Sequence, residues 1–155
     1  MDPVREQLQV FVRRFGLLNA SCCDYCCGEE VSLVQSHILF EVRRTESPSM
    51  QQVAEELGMD ITTFSRQIKA LERKGLVGRR LSDRDRRVSL LGLTGEGEKV
   101  MGQIDRYMEG KLDQLFMVMT PFERDVVTRS LGLVNEALAR VAVASHDGES
   151  VACCK

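Results

Sequence analysis

Apolar residues recur at helical spacing along most of this chain, and one stretch near the middle breaks into short extended runs. Leu8, Phe11, Val12, Phe15 and Leu18 share a face behind Asp2, a capping residue, and Pro3, which suits a first helical position. They predict a first helix ending near Asn19. Leu33, Ile38, Leu39 and Val42 predict a second helix over 32–44, closed by the break at Thr45 to Pro48. Ser49-Met50-Gln51-Gln52 has the capping-box pattern and opens a short helix carrying Val53 and Leu57 that stops at Gly58. Asp60 can cap the next helix, whose Ile61, Phe64, Ile68 and Leu71 keep helical spacing up to Gly75. The short turn between these two helices gives a helix-turn-helix.

Leu76-Val77 and Val88 to Leu93 favour extended structure, and the arginine-rich segment between them predicts a hairpin tip. Thr94 then starts a long helix with Met101, Ile104, Met108, Leu112, Leu115 and Met119 in one seam. Thr120-Pro121-Phe122-Glu123 restarts the chain as a last helix through Val127, Leu131, Val134, Leu138 and Val141, ending near Ala144. The expected class is mainly α with a small β-hairpin wing, a winged helix-turn-helix flanked by helices.

Composition changes this picture little. The 155 residues are 43% hydrophobic and 28% charged, as expected for one globular domain. No run approaches the length of a membrane span and the first residues do not resemble a leader, so a soluble cytoplasmic protein with no membrane partner is expected. The net charge of -2 excludes nothing, but its distribution is uneven. Arg79, Arg80, Arg84, Arg86 and Arg87 face only Asp83 and Asp85 in the hairpin, either a basic contact element or a solvated loop. No catalytic constellation or organic cofactor motif stands out, and an enzyme is not expected.

Val53-Ala54-Glu55-Glu56-Leu57-Gly58, Thr62-Thr63-Phe64-Ser65-Arg66 and Leu71-Glu72-Arg73-Lys74-Gly75-Leu76-Val77 resemble the MarR family of bacterial transcription regulators. So does Asp83-Arg84-Asp85-Arg86-Arg87 followed by Leu93-Thr94, which matches the family wing and the start of its long fifth helix. The resemblance covers about 32–100 and implies double-stranded operator DNA as partner. The second helix of such a motif enters the major groove, making Thr62, Thr63, Ser65, Arg66, Gln67 and Lys69 the candidate contacts. Arg66 suits bidentate contact with guanine; Thr62 and Ser65 are equally suited to capping the helix start. Arg84, Arg86 and Arg87 resemble the wing arginines that approach the minor groove, and Asp85 the acidic residue that holds the wing in shape. The family's terminal helices interlock between subunits, which implies a homodimer and a pseudo-palindromic operator with half-sites about 34 Å apart. The implied layout is an N-terminal dimerisation helix and cysteine-rich loop over 1–31, a DNA-binding lobe over 32–95, long C-terminal dimerisation helices over 96–144 and a flexible tail over 145–155.

Six cysteines fall outside the common family pattern, in two clusters: Cys22, Cys23, Cys26 and Cys27, then Cys153 and Cys154. Free cysteine is usually a dispersed, buried small hydrophobe, so paired thiols beside Asp24, Tyr25 and Gly28 point to sulfur chemistry. Neighbouring residues have Cα atoms about 3.8 Å apart, closer than a disulfide usually tolerates. Soft thiolates without nearby histidine or dense carboxylate favour thiophilic ions. Trivalent arsenic is the first choice, by resemblance to thiol-rich arsenic-responsive repressors, then cadmium, zinc, lead or mercury. His37 is expected to pack and His146 to sit in the tail. A repressor releasing DNA on metalloid capture is the leading reading. Thiol redox sensing, an iron-sulfur cluster without its usual spacings, structural zinc, and a thiol oxidoreductase or metal carrier built on Cys23-Asp24-Tyr25-Cys26 stand as alternatives.

Overall fold

The computed structural model describes residues 3–15 and 31–146, with side chains followed to residue 141. The order is α1 (Pro3–Phe15), α2 (Leu33–Arg44), α3 (Met50–Glu56), α4 (Ile61–Arg73), β1 (Val77–Leu81), β2 (Ser89–Leu93), α5 (Gly95–Met117) and α6 (Pro121–His146). Helix starts follow local side-chain chemistry. The Ser32 hydroxyl accepts from the Gln35 N–H while Gln35 Oε1 accepts from the Ser32 N–H, a closed capping box. Ser49 and Gln52 repeat it at α3, and Asp60 accepts from the Thr63 N–H at 2.9 Å to open α4. At α6, Glu123 accepts from the Thr120 N–H at 2.7 Å and Thr120 Oγ1 from the Glu123 N–H at 3.3 Å. Gly58 and Gly75 end α3 and α4 with φ of 60° and 69°, a conformation in which a Cβ is strained.

Two compact units divide the chain, 1–108 and 109–155, and the boundary falls inside α5. In the first, Ile38, Leu39 and Val42 from α2, Val53 from α3, and Phe64, Ile68 and Leu71 from α4 form one buried cluster with Leu76, Leu91, Val100 and Met101. Strands β1 and β2 pair antiparallel, Val77 opposite Leu93 and Leu81 opposite Ser89. The sheet is extended on its other edge by the approach to α3: Leu91 N–H donates to the Pro48 carbonyl at 2.8 Å, and Ser49 bridges Leu90. The hairpin is thereby tied to the helix-turn-helix it follows. Thr94 closes the junction with α5, its hydroxyl donating to the Gly75 carbonyl at 2.6 Å and accepting from Gly97 N–H at 3.0 Å.

Several sequence expectations change. Ile61, read as inward, is 44% exposed because it occupies the first turn, before α4 has met its neighbours. Leu33 is only partly buried, whereas Val31, just before the cap, is fully buried. His37 does not pack; it is exposed on the outer side of α2. The α5 seam is divided: Met101 is buried and Ile104 packs on the core, but Leu112 is exposed. The last helix runs to His146, beyond the expected end. The expected Asp2 cap and the stretch to Asn19 lie outside the described residues.

Candidate nucleic-acid interface

α4 carries a buried side of Phe64, Ile68 and Leu71 and, opposite it, the candidate reading face. Thr62, Thr63, Arg66 and Lys69 are exposed, while Ser65 and Gln67 are half-buried. Arg66, Lys69, Glu72 and Arg73 line an open groove of about 660 Å³. At the helix start, the Thr63 hydroxyl and then its N–H hold the Asp60 carboxyl below the usual carboxylate range, with Arg66 adding a smaller charge effect. Capping therefore falls to Asp60 and Thr63, leaving the Thr62 and Ser65 side chains outside that role. Gln67 turns back into the lobe, where its Oε1 accepts from Gln35 Nε2 at 3.2 Å.

The wing is shaped by hydrogen bonds at its tip. Asp85 Oδ1 accepts from the Arg87 N–H at 2.9 Å, and the Asp85 carbonyl accepts from the Val88 N–H, so the expected structuring acid closes a turn on its own backbone. Ser82 adds a second brace, its hydroxyl accepting from Arg84 N–H at 3.3 Å; the Ser-Asp-rich turn composition at 82–85 is the signal that would have marked it. The five basic residues of the hairpin separate into two sets. Arg79 pairs with Glu72 at 3.0 Å and Arg80 donates to Ser47 at 3.0 Å, so both are spent on the lobe. Arg84, Arg86 and Arg87 are exposed at the tip; among the described residues only Arg87 has an ion-pair partner there, Asp85. The wing tip thus presents Arg84 and Arg86 without ion-pair partners among the described residues, which suits binding to a phosphate backbone.

Arg43 on α2 grips Asp105 on α5 through two bonds of 2.6 and 3.0 Å. The fork-to-carboxylate geometry fixes the first half of α5 against α2, and that bond to Asp105 raises the Arg43 pKa above its ordinary value.

Residues 31–89 match the model of the MarR family. In that segment the chain is similar to the MarR-family winged helix-turn-helix. Members of this family are transcription regulators, not enzymes. The HTH-type transcriptional regulator YfiV of Bacillus subtilis is 24% identical over 109 residues, 70% of this chain and 68% of its own. Streptococcus pneumoniae FabT, solved in complex with DNA, gives a TM-score of 0.79 at 22% identity over 89% of this chain and 96% of its own. A SlyA-like transcription regulator from Listeria monocytogenes gives 0.79 at 21% identity over 99% of this chain and 100% of its own. The MarR-family match spans α2 through the first residue of β2 and takes in both the α4 face and the wing. All six cysteines lie outside the described residues, so the expected thiolate site has no geometry here. No described helix is long and apolar enough to cross a membrane.

Proposed function

We propose that this chain is a homodimeric repressor acting in the cytoplasm, which binds a pseudo-palindromic operator and releases it when a thiophilic metal or metalloid binds its cysteine thiolates. The observation that carries the DNA reading is the pairing, on one lobe, of an exposed α4 face holding Arg66 and Lys69 with a wing tip holding Arg84 and Arg86 free of partners among the described residues. Arg66 is assigned to base edges. Thr62, Ser65 and Lys69 serve bases or phosphates, and Arg84, Arg86 and Arg87 follow the minor groove and backbone. FabT was solved with DNA, which supports this use of the same fold.

Dimerisation is supported by apolar surface that stays exposed among the described residues. On α1, Val4, Leu8 and Phe11 are exposed; on α6, Leu131, Val134, Leu138 and Val141 recur at three- and four-residue spacing and are each about half exposed or more. Such a stripe is the pattern of a helix that packs against another surface. A second copy supplies one for both helices and sets two α4 helices for two half-sites.

The effector reading rests on the sequence: four thiols within 22–27 and two at 153–154, with soft-donor chemistry suited to trivalent arsenic first and cadmium, zinc, lead or mercury next. A hundredfold loss of DNA affinity needs about 2.7 kcal/mol of coupling between thiolate and DNA sites. The test titrates a duplex selected by the protein from a random pool, with arsenite, each metal and peroxide added in turn. Replacing Cys22, Cys23, Cys26 and Cys27 with serine is expected to leave DNA binding intact and abolish release. Release unchanged in that variant rejects the thiolate reading; release by peroxide alone assigns the thiols to redox sensing.

A further inference from the structure

Gln35 stands out as a buried polar side chain with partners on two helices. It is 7% exposed. Its Oε1 accepts from the Ser32 N–H at 3.4 Å, closing the α2 capping box, and from Lys74 Nζ at 3.1 Å, at the C-cap of α4. Its Nε2 donates to Gln67 Oε1 at 3.2 Å, in the middle of α4 between Arg66 and Ile68. One amide therefore joins the first turn of α2 to two points on the recognition helix, across 32 and 39 residues of sequence. A capping box alone needs only the local pair. Immediately upstream, Val31 is fully buried beside the same core, so the chain entering α2 is anchored at its last residue before the cap. Cys27 lies four positions before Val31.

We infer that Gln35 is a positioning residue that makes the register of α4 depend on the state of the α2 N-terminus, the point into which the thiol segment feeds. The amide reports in both directions: loosening the Ser32 cap frees Gln35 to leave Gln67 and Lys74, and α4 then loses its tether beside Arg66. In a low-dielectric site an amide with several partners is held by all of them, and losing one unsettles the others. The regulatory meaning of this link rests on the effector reading above, but the link itself does not.

Two arms keep them distinct. In the first, without effector, amide hydrogen exchange is followed over α2 and α4 in the full chain. Ser32→Ala is expected to speed exchange roughly three- to tenfold at 33–36 and also at 65–69. Gln35→Met, which keeps the volume and removes the polar bonds, is expected to speed α4 exchange alike, and adding Ser32→Ala to it is expected to change α4 no further. Gln35→Glu keeps acceptors for Ser32 and Lys74 and can receive the Gln67 amide after a flip, so it is expected to restore wild-type exchange in α4. If Gln35→Met does not fold, Lys74→Met removes one tether at the surface and is expected to give a smaller effect of the same pattern. Ser32→Ala acting on α2 alone, or adding fully to Gln35→Met in α4, overturns the inference.

In the second arm, arsenite is titrated against the protein–DNA complex. Wild type is expected to lose at least tenfold in DNA affinity and Gln35→Met less than threefold. A wild type indifferent to arsenite, with the exchange pattern intact, rejects arsenite as the effector and leaves Gln35 as the link between α2 and α4. A full response in Gln35→Met overturns its role in transmission.

Discussion

Gly97→Ala tests whether the junction between β1 and α5 holds the lobe together as closely as its geometry requires. A Cβ at Gly97 would overlap the Leu76 carbonyl oxygen and lie 3.0 Å from its carbon. Neither partner can yield freely. Leu76 is fully buried, its N–H donates to the Leu71 carbonyl at 3.0 Å and its carbonyl accepts from Thr94 N–H at 3.1 Å, while Thr94 Oγ1 holds the Gly75 carbonyl. Moving the start of α5 away puts the last two of these bonds at risk, each worth about 1 kcal/mol net. Forcing the neighbours to repack adds about 1 to 3 kcal/mol. The better helix propensity of alanine returns at most about 1 kcal/mol. The net expectation is a loss of about 2 to 4 kcal/mol, or roughly 5–15 °C in Tm. Urea and thermal unfolding followed by circular dichroism at one fixed protein concentration measure it. Gly102→Ala is the control: its Cβ would meet only the far end of Arg106 at 3.6 Å, so the change is expected to be neutral or stabilising by up to about 1 kcal/mol. A Gly97→Ala protein as stable as Gly102→Ala would refute the argument from close approach.

Arg84→Ala and Arg86→Ala are expected to leave stability within about 0.5 kcal/mol of wild type, since neither side chain bonds to the lobe, while lowering DNA affinity and reducing the slope of log affinity against log salt by about 1 each. Fluorescence anisotropy over a salt series checks both numbers, and an unchanged slope places those arginines away from phosphate. Asp60 titrates below its ordinary value of 3.8 because the Thr63 hydroxyl and N–H, then the Arg66 charge, favour its carboxylate. Its contribution to stability is therefore complete above that value and lost as pH falls below it through the folded-state pKa. Comparing acid unfolding of wild type and Asp60→Asn, which keeps a capping oxygen but no titration, should show a shallower acid limb in the variant. Leu131→Glu with Leu138→Glu is expected to give a monomer by light scattering and to lose tight operator binding, because the two residues sit on the uncovered α6 stripe; a stable dimer would move the interface elsewhere.

Most of the helix-turn-helix was legible because its signals are local. The Ser49–Gln52 capping box, the Asp60 cap and the glycine stops at Gly58 and Gly75 each act within four residues, and period marked Phe64, Ile68 and Leu71 of α4 and Ile38, Leu39 and Val42 of α2 as core. What escaped is what depends on the third dimension. Nothing in the spacing of Gln35 and Gln67 announces that they meet. Arg79 and Arg84 looked alike as members of one basic run, yet the strand face turns Arg79 onto Glu72 while the tip leaves Arg84 free of partners among the described residues. The outward turn of Ile61 was hidden because an apolar residue at the right period satisfies the pattern whether or not a neighbour is there to cover it.

The two reading elements are joined where Arg79 at the base of the wing pairs with Glu72 on α4, but they are braced differently beyond that point, and this bears on how binding can be modulated. α4 is tied through Gln67 and Lys74 to Gln35 and the α2 cap. The wing tip is braced by Ser82 and Asp85 on its own backbone, and its base is fastened by Pro48 to Leu91 and by Thr94 to Gly75. A disturbance at the α2 cap meets α4 first, through Gln67 and Lys74, and passes to the base of the wing through Glu72 and Arg79. Base contacts carry sequence discrimination and phosphate contacts carry most of the salt-dependent affinity. Under the proposed assignment of α4 to bases and of the tip arginines to phosphate, a signal entering at α2 is expected to act first on which DNA is chosen and only through α4 on how tightly it is held, leaving the self-braced wing tip in place.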